Sequence, residues 1–285
     1  MDHRGSKLVG IVGHPLGHSL SPAMHSAAFE HLKLPYRYGV LDVAEEFLPA
    51  LIMSLRKSGV AGANVTIPYK ERVIPLLDSV SDDAAALGAV NTIVLQNGKL
   101  AGFNTDIAGL QKTFEPAAEK IRGKAVLVLG AGGVARAVLH AIAKGFEPGL
   151  VRIYNRTSAR GIALASEFTK LFPGIRHEGI ADIQHLHSVV SESSLIVNAT
   201  SVGMSPDTAA APLASEIRFS NHQIIVDIIY NPVETTLLRR ARLDGAQTMN
   251  GVEMFVQQGA RSFELWTGEP FPLELARRIV LQALK

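Results

Sequence analysis

Short apolar runs alternate along this chain with longer amphipathic stretches, and glycine, proline or a hydroxyl residue marks most of the changes. KLVGIVG (7–13) reads as a first strand. After the loop HPLGHSL, Ser21 and Pro22 make a helix start, a hydroxyl cap followed by proline at the first helical position, and the helix runs through AMHSAAFEHLKL. YRYGVLDV reads as a strand, EEFLPALIMSLRKSG as an amphipathic helix closed by glycine, and GANVTIP as the next strand. YKERVIPLLD and SDDAAALGA are short helical pieces, and NTIVLQNGKLAGFN is a hairpin turning at Asn97-Gly98.

DIAGLQKTFEPAAEKI (106–121) reads as one helix leading into a second unit, where the pattern restarts. KAVLVLG is a strand, GGVARAVLHAIAKG a helix, LVRIYNR a strand, and SARGIALASEFTKLF a helix. LIVNAT and IIVDIIY are further strands, separated by the loop SVGMSPDTAAAPLASEIRFSN, and the chain from Pro232 onward is mostly helical. Strands alternating with helices predict an open α/β sheet.

Composition narrows the class. Hydrophobic residues make up 47% and charged residues 19% of 285, enough apolar matter for two ordinary domains and too little charge for disorder. The formal charge is +2, so neither a nucleic-acid nor a membrane partner is expected. Cysteine is absent, which excludes disulfides, thiolate catalysis and cysteine-held metals. The first residues hold too short an apolar run for a secretory signal, and the most apolar window, 125–143, is broken by glycines and Arg136. A cytoplasmic protein is expected, with its N-x-T triplets at Asn64, Asn155 and Asn198 unglycosylated.

Gly130-Ala131-Gly132-Gly133-Val134-Ala135 fits G-x-G-x-x-A directly after the strand AVLVL and at the opening of a helix. Such glycines let backbone N–H groups approach a pyrophosphate, whose charge the helix N-terminus favours; the competing reading is a tightly packed strand–helix turn. The following strand ends in Asn155-Arg156-Thr157-Ser158-Ala159-Arg160, with no acid to hold a ribose 2′-hydroxyl. Arg156 can instead pair with a 2′-phosphate, with donors from Thr157 and Arg160, so NADP is favoured over NAD; the alternative is a solvated turn with two ordinary arginines.

No Y-x-x-x-K, G-K-[ST] or H-E-x-x-H occurs, and His14, His18 and His25 have no carboxylate at ligand spacing, so no metal is expected. Polar clusters remain: SLSP (19–22), NVTIPYK (64–70), GAVNT (88–92), GFNTD (102–106), NATSVGM (198–204), DIIYNP (227–232) and GVEMFVQQGA (251–260). In this order the set closely resembles the shikimate dehydrogenase family over nearly the whole chain.

The resemblance implies an N-terminal α/β substrate domain (1–105), a Rossmann-like doubly wound NADP-binding domain (106–245) and C-terminal helices (246–285) returning to the first domain. It implies Ser19 and Ser21 on the substrate carboxylate, Asn64, Thr66, Asn91, Asp106 and Gln258 on its ring hydroxyls, and Tyr230 nearby. Lys70 and Asp106 match the catalytic pair, Gly130 to Val134 and Asn155 to Arg160 the NADP site, and Ile228 and Gly251 the backbone beside the nicotinamide; Asp82 is a weaker match near the cofactor. The family commonly reads H-N after SPxM, where this chain has His25-Ser26, a packing difference within the helix. The implied reaction is reversible, NADPH-dependent reduction of 3-dehydroshikimate to shikimate, by a monomer or homodimer. A broader quinate/shikimate dehydrogenase and a non-catalytic NADP- or shikimate-binding regulator are the rivals; a mere binder does not need both Lys70 and Asp106.

Overall fold

A computed structural model of the chain describes residues 6–17, 19–57 and 59–285. The chain divides into two compact units: the described residues through Gly109 with Val256–Ala283, and Leu110–Phe255. His18 lies outside the described residues.

The first unit contains β1 (Lys7–Gly13), α1 (Ser21–His31), β2 (Tyr36–Asp42), α2 (Leu48–Ser54), β3 (Gly62–Val65), β4 (Ser79–Val80), α3 (Asp82–Leu87), β5 (Thr92–Gln96) and β6 (Lys99–Phe103), and it receives the start of α4 (Thr105–Phe114). Its sheet runs β2-β1-β3-β5-β6-β4. The β1 strand is parallel to both neighbours, whereas β5 is antiparallel to β3 and β6. Asn97 (φ 51°) and Gly98 (φ 75°) form the β5–β6 turn, both in the left-handed region that primed hairpin turns require. Val12, Ala63, Val65, Ile93 and Leu100 supply the sheet's part of a core closed by Leu48, Ile52 and Leu55.

The second unit holds α5 (Ala118–Ile121), β7 (Ala125–Leu129), α6 (Gly133–Gly145), β8 (Leu150–Tyr154), α7 (Ser158–Leu171), β9 (Arg176–Gly179), α8 (Leu186–Glu192), β10 (Leu195–Asn198), β11 (Ile224–Asp227), α9 (Thr236–Leu243) and β12 (Gln247–Met249). Its sheet is parallel throughout and runs β12-β11-β10-β7-β8-β9. Counted from β9 within this unit the order is 3-2-1-4-5-6, the order of doubly wound dinucleotide-binding sheets, with the switch point between β7 and β10. Near-continuous apolar strands such as β10 and β11, buried at every position, are what a sheet covered on both faces demands.

Two C-terminal helices follow, α10 (Val252–Thr267) and α11 (Leu273–Ala283), and the latter packs on α1 of the first unit. No helix among the described residues is long and apolar enough to cross a membrane.

The structure corrects several boundaries. Leu20, not Ser21, caps α1, without a side-chain bond, so Ser21 is the first helical residue and its hydroxyl is not used as a cap. The helix expected over 106–121 is interrupted at Glu115–Ala117 by a tighter turn, because Pro116 has no N–H to offer the preceding turn. The stretch 45–59 is helical in the α sense only over Leu48–Ser54, after a tight turn at Glu45–Phe47, with Pro49 in its first turn. The β4, β9 and β12 strands and the α8 helix were not foreseen. RHEG and QTM are short pieces at sheet edges, recruited by pairing with β8 and β11 instead of by an apolar pattern of their own.

His25, on α1, is the least expected core residue. It is 1% exposed, and neither ring nitrogen has a hydrogen-bond partner. Its ring stacks on Tyr38 at 4.8 Å and 1° and lies 5.4 Å from Trp266 and 5.7 Å from Phe271. Trp266 donates its indole N–H to the Ile93 carbonyl at 3.0 Å, tying α10 to the sheet. Burial drives the His25 pKa down from 6.5 to about 3, so the imidazole is neutral in the fold. The unfolded chain takes up a proton below 6.5 whereas the fold does not until about 3, so this contribution is present above 6.5 and lost as pH falls. Denaturant titrations should show stability falling by about 2 kcal/mol from this group between pH 7.5 and 5. His25→Phe should flatten that part of the slope, and an unchanged slope would place the titrating group elsewhere.

Candidate active site

Lys70 owes its position to its neighbours in sequence. Tyr69 is 1% exposed and its hydroxyl donates to the Val43 carbonyl at 2.7 Å, so the turn after β3 is pinned into the core. The Tyr69 N–H closes that turn on the Thr66 carbonyl at 2.9 Å, and the Val90 N–H donates to the Lys70 carbonyl at 2.8 Å. The polar end of NVTIPYK is thus fixed beside GAVNT. From there Lys70 Nζ reaches Asp106 Oδ2 at 2.7 Å. Asp106 stands in the first turn of α4, where Asn104 Oδ1 accepts its N–H at 3.0 Å. A carboxylate is favoured at that helix end. Lys70 and Asp106 are 29% and 14% exposed, so the pair is shielded without being sealed from solvent.

Two carboxamides extend the pair inward. Asn91 Nδ2 donates to Asp106 Oδ1 at 2.8 Å. Its Oδ1 accepts from the Thr105 N–H at 2.7 Å and from the hydroxyls of Thr105 and Thr92 at 3.1 and 3.0 Å. Asn64 Nδ2 donates to Ser262 Oγ at 3.0 Å, with Thr92 Oγ1 at 3.2 Å and the Asn91 carbonyl at 3.3 Å, and Asn64 Oδ1 accepts from Tyr38 at 2.7 Å. The Ser21 side chain faces the Tyr38 hydroxyl. A continuous chain of hydrogen bonds therefore runs Tyr38–Asn64–Thr92–Asn91–Asp106–Lys70.

Other expected residues of this unit are less directly joined. Ser19 Oγ accepts the Ser21 N–H at 3.4 Å. Their loop is braced by Asp42, which bonds His14 at 2.7 Å and the Leu16 N–H at 2.9 Å; the His14 bond holds the Asp42 carboxyl below the usual range. Thr66 hydrogen-bonds through its N–H to Val12, and Gln258 meets the cluster through its carbonyl, which accepts from Ser262 at 3.1 Å. Asp82 is exposed in the first turn of α3 behind its Ser81 cap, with no bond to this cluster, as a dipole-complementing helix acid would be.

In the second unit the turn after β7 is shaped for a ligand. Gly130 has φ +112°, and a Cβ there would lie 3.0 Å from the Ala199 carbonyl, at the switch point. A Cβ on Gly132 or Gly133 would meet nothing within 4 Å, so the backbone there is open to approach. Gly132 caps α6 without a side chain to occupy the helix N–H groups, which suits an anion. Since β8 pairs in parallel with β7, the Asn155–Arg160 turn lies at the same sheet end. Arg156 and Arg160 are exposed and have no carboxylate partner among the described residues, in contrast to Arg136 with Glu167 and Arg152 with Glu178 and Glu192. Asn155 Nδ2 donates to the Thr157 carbonyl at 2.9 Å, and Ser158 and Ala159 open α7. These residues fit the phosphates of a dinucleotide, including one on the ribose.

Ile228 and Gly251 come together within this unit. A Cβ on Gly251 would sit 2.0 Å from the Ile228 carbonyl oxygen, so only glycine permits the approach. Tyr230 packs on Phe255 at 4.8 Å, and burial raises its phenol pKa.

Asp227 opens the cluster DIIYNP but was given no role from the sequence; it is a fully buried carboxylate whose pKa burial raises. It accepts from Asn198 at 3.0 Å, the Ile229 N–H at 3.1 Å and Thr235 at 2.7 Å, and so shapes the loop carrying Ile228 and Tyr230. Thr92, Thr105, Tyr38 and Ser262 were missed too. The first two lay inside quoted motifs, whereas nothing along the chain marks Ser262.

The chain matches three family profiles: "Shikimate dehydrogenase substrate binding domain" over 11–93, "Shikimate / quinate 5-dehydrogenase" over 111–236 and "Shikimate 5'-dehydrogenase C-terminal domain" over 251–281. It is 41% identical over 273 residues to the shikimate dehydrogenase (NADP(+)) of Shouchella clausii, covering 95% of this chain and 96% of that protein. The shikimate 5-dehydrogenase of Thermus thermophilus, solved with NADP(H) and shikimate, superposes with a TM-score of 0.84 at 38% identity, over 98% of this chain and all (100%) of that one. Quinate dehydrogenase of Corynebacterium glutamicum, solved with NAD, superposes with a TM-score of 0.87 at 30% identity, over 97% and 99% of the two chains. Matched from end to end by such relatives, the chain belongs to the shikimate dehydrogenase family.

Proposed function

We propose that this chain is an NADP-dependent shikimate dehydrogenase whose first unit binds 3-dehydroshikimate and whose second unit binds the cofactor. The observation that carries the reading is the Lys70–Asp106 contact at 2.7 Å, joined to the Asn91 carboxamide at 2.8 Å. Such a cluster brings an ammonium, a carboxylate and an amide together at strand ends, where a polyhydroxylated ring finds donors and acceptors at once. NADPH, when bound, supplies the hydride. Reduction of a ketone develops charge on its oxygen, which the Lys70 ammonium can stabilise and then protonate. Asp106 orients that ammonium and accepts from a substrate hydroxyl. Ser19 and Ser21 serve the substrate carboxylate, with Thr66, Tyr230 and Gln258 completing recognition. Arg156, Thr157 and Arg160 serve the 2′-phosphate and Gly130 to Val134 the pyrophosphate. A monomer or homodimer in the cytoplasm fits the cysteine-free composition, and the charge of +2 gives no footprint for nucleic acid.

NADPH oxidation measured with 3-dehydroshikimate against 3-dehydroquinate tests the reading, and the first substrate should be strongly preferred. A preference for the second would make the chain a quinate enzyme, and no turnover with either would leave a binding protein. Lys70→Ala should lower kcat by about 10²–10⁴ while the KM for shikimate changes far less. Raised KM with intact kcat would make Lys70 a binding group.

Cofactor choice gives a separate test. Arg156→Ala should raise the KM for NADPH by roughly ten- to a hundredfold, the worth of one charge-assisted bond, and hardly change that for NADH. Equal losses with both cofactors would make the arginine structural.

A further inference from the structure

Asn64 and Asn91 are chemically alike but are held in opposite senses. A carboxamide has two N–H donors and two acceptor lone pairs. In Asn64 the donors are occupied by Ser262 Oγ on one side and by Thr92 Oγ1 and the Asn91 carbonyl on the other, while Tyr38 takes one lone pair of its oxygen. One acceptor position is left. In Asn91 the two lone pairs of the oxygen are shared among the Thr105 N–H and the hydroxyls of Thr105 and Thr92, and one N–H goes to Asp106, which leaves one donor. Asn64 can therefore meet a ligand hydroxyl only by accepting from it, and Asn91 only by donating to it.

Two residues outside the expected substrate contacts fix this polarity. Ser262 comes from α10, and its own proton has acceptors in Thr92 Oγ1 at 2.8 Å and the Gln258 carbonyl at 3.1 Å, which leaves its oxygen to receive the Asn64 N–H. Tyr38 comes from β2, its ring stacked on His25 at 4.8 Å, so its hydroxyl is aimed at Asn64 Oδ1. Flipping the Asn64 amide would turn its oxygen toward the Asn91 carbonyl, which can only accept, and would cost the Tyr38 hydroxyl its acceptor.

Building on the dehydrogenase reading, we infer that Ser262 and Tyr38 are positioning residues that fix the Asn64 carboxamide as an acceptor, so that the enzyme selects a ring hydroxyl able to donate there. The substrate class is thereby narrowed: at the ring position facing Asn64 an ether, a ketone or a fluorine is rejected, because each can accept but not donate.

The test uses the full-length enzyme and shikimate analogues in which one or the other non-reacting ring hydroxyl is replaced by fluorine, read as competitive inhibition constants. Wild-type turnover of shikimate checks the dehydrogenase reading independently, so its failure is distinct from failure of the inference. With the wild type, fluorine at one of the two positions should weaken binding about tenfold or more relative to shikimate, the worth of a lost hydrogen bond plus an unpaired acceptor. In the Ser262→Ala/Tyr38→Phe double variant the penalty should fall to within about threefold, because the two shortest bonds that orient the amide are gone and only its longer contacts to Thr92 and the Asn91 carbonyl, at 3.2 and 3.3 Å, oppose turning its N–H toward fluorine. Ser262→Thr, which keeps the hydroxyl, should retain the wild-type penalty. The KM for NADPH should be unmoved throughout. No penalty at either position in the wild type, or an undiminished penalty in the double variant, would overturn the inference. Equal behaviour of Ser262→Thr and Ser262→Ala would do so as well. If the double variant does not fold, the two single variants serve, each with an intermediate penalty expected and a wild-type penalty in both overturning it.

Discussion

Burying two carboxamides at the ends of neighbouring strands obliges the fold around them to provide a partner for each polar atom. A donor or acceptor left unpaired there costs about 1–3 kcal/mol, so the arrangement persists only if the partners arrive together. For Asn64 and Asn91 those partners come from β2, β5, α4 and α10, elements as far apart in the chain as Tyr38 and Ser262. The first unit is in this sense assembled around its polar cluster as much as around its apolar core. Lys70 and Asp106 sit at the outer end of that cluster, where the chain of hydrogen bonds opens toward solvent.

The second unit meets a different constraint, close backbone approach. Gly130 and Gly251 lie where a side chain would collide with a carbonyl, and Gly132 and Gly133 where it would fill space otherwise free for an anion. Asp227 shows what it takes to hold a loop between these points: a buried carboxylate kept in place by an amide, a hydroxyl and a backbone N–H. Such an anion is tolerated in the interior because each bond stabilises the charge that burial disfavours.

His25 carries the same logic to a limit. It sits among Tyr38, Trp266, Phe263 and Phe271 with no hydrogen bond, accepted by the core as a flat apolar ring at neutral pH. Its place behind Tyr38 links packing to chemistry, since the ring it supports carries the hydroxyl that binds Asn64.

Local physics made much of this legible in the sequence. The apolar runs of β1, β7, β10 and β11, the Asn97-Gly98 turn, and a glycine-rich turn between strand and helix depend on residues adjacent along the chain, so neighbours alone determined them. The same holds for the preference for NADP, since it rests on an acid-free strand end. The Lys70–Asp106 pairing was legible as a motif, but its geometry was not, because Tyr69 burial and the Val90–Lys70 bond are contacts between distant segments. The break at Pro116 was a local signal too, since proline lacks the N–H a helix needs. Only the tertiary structure decided that RHEG and QTM would become edge strands, and that Ser21 would face Tyr38 instead of capping α1. Ser262 marks the boundary most sharply: a lone serine on an amphipathic helix carries no local signal, and its role exists only because α10 brings it within 3.0 Å of an amide 198 residues away.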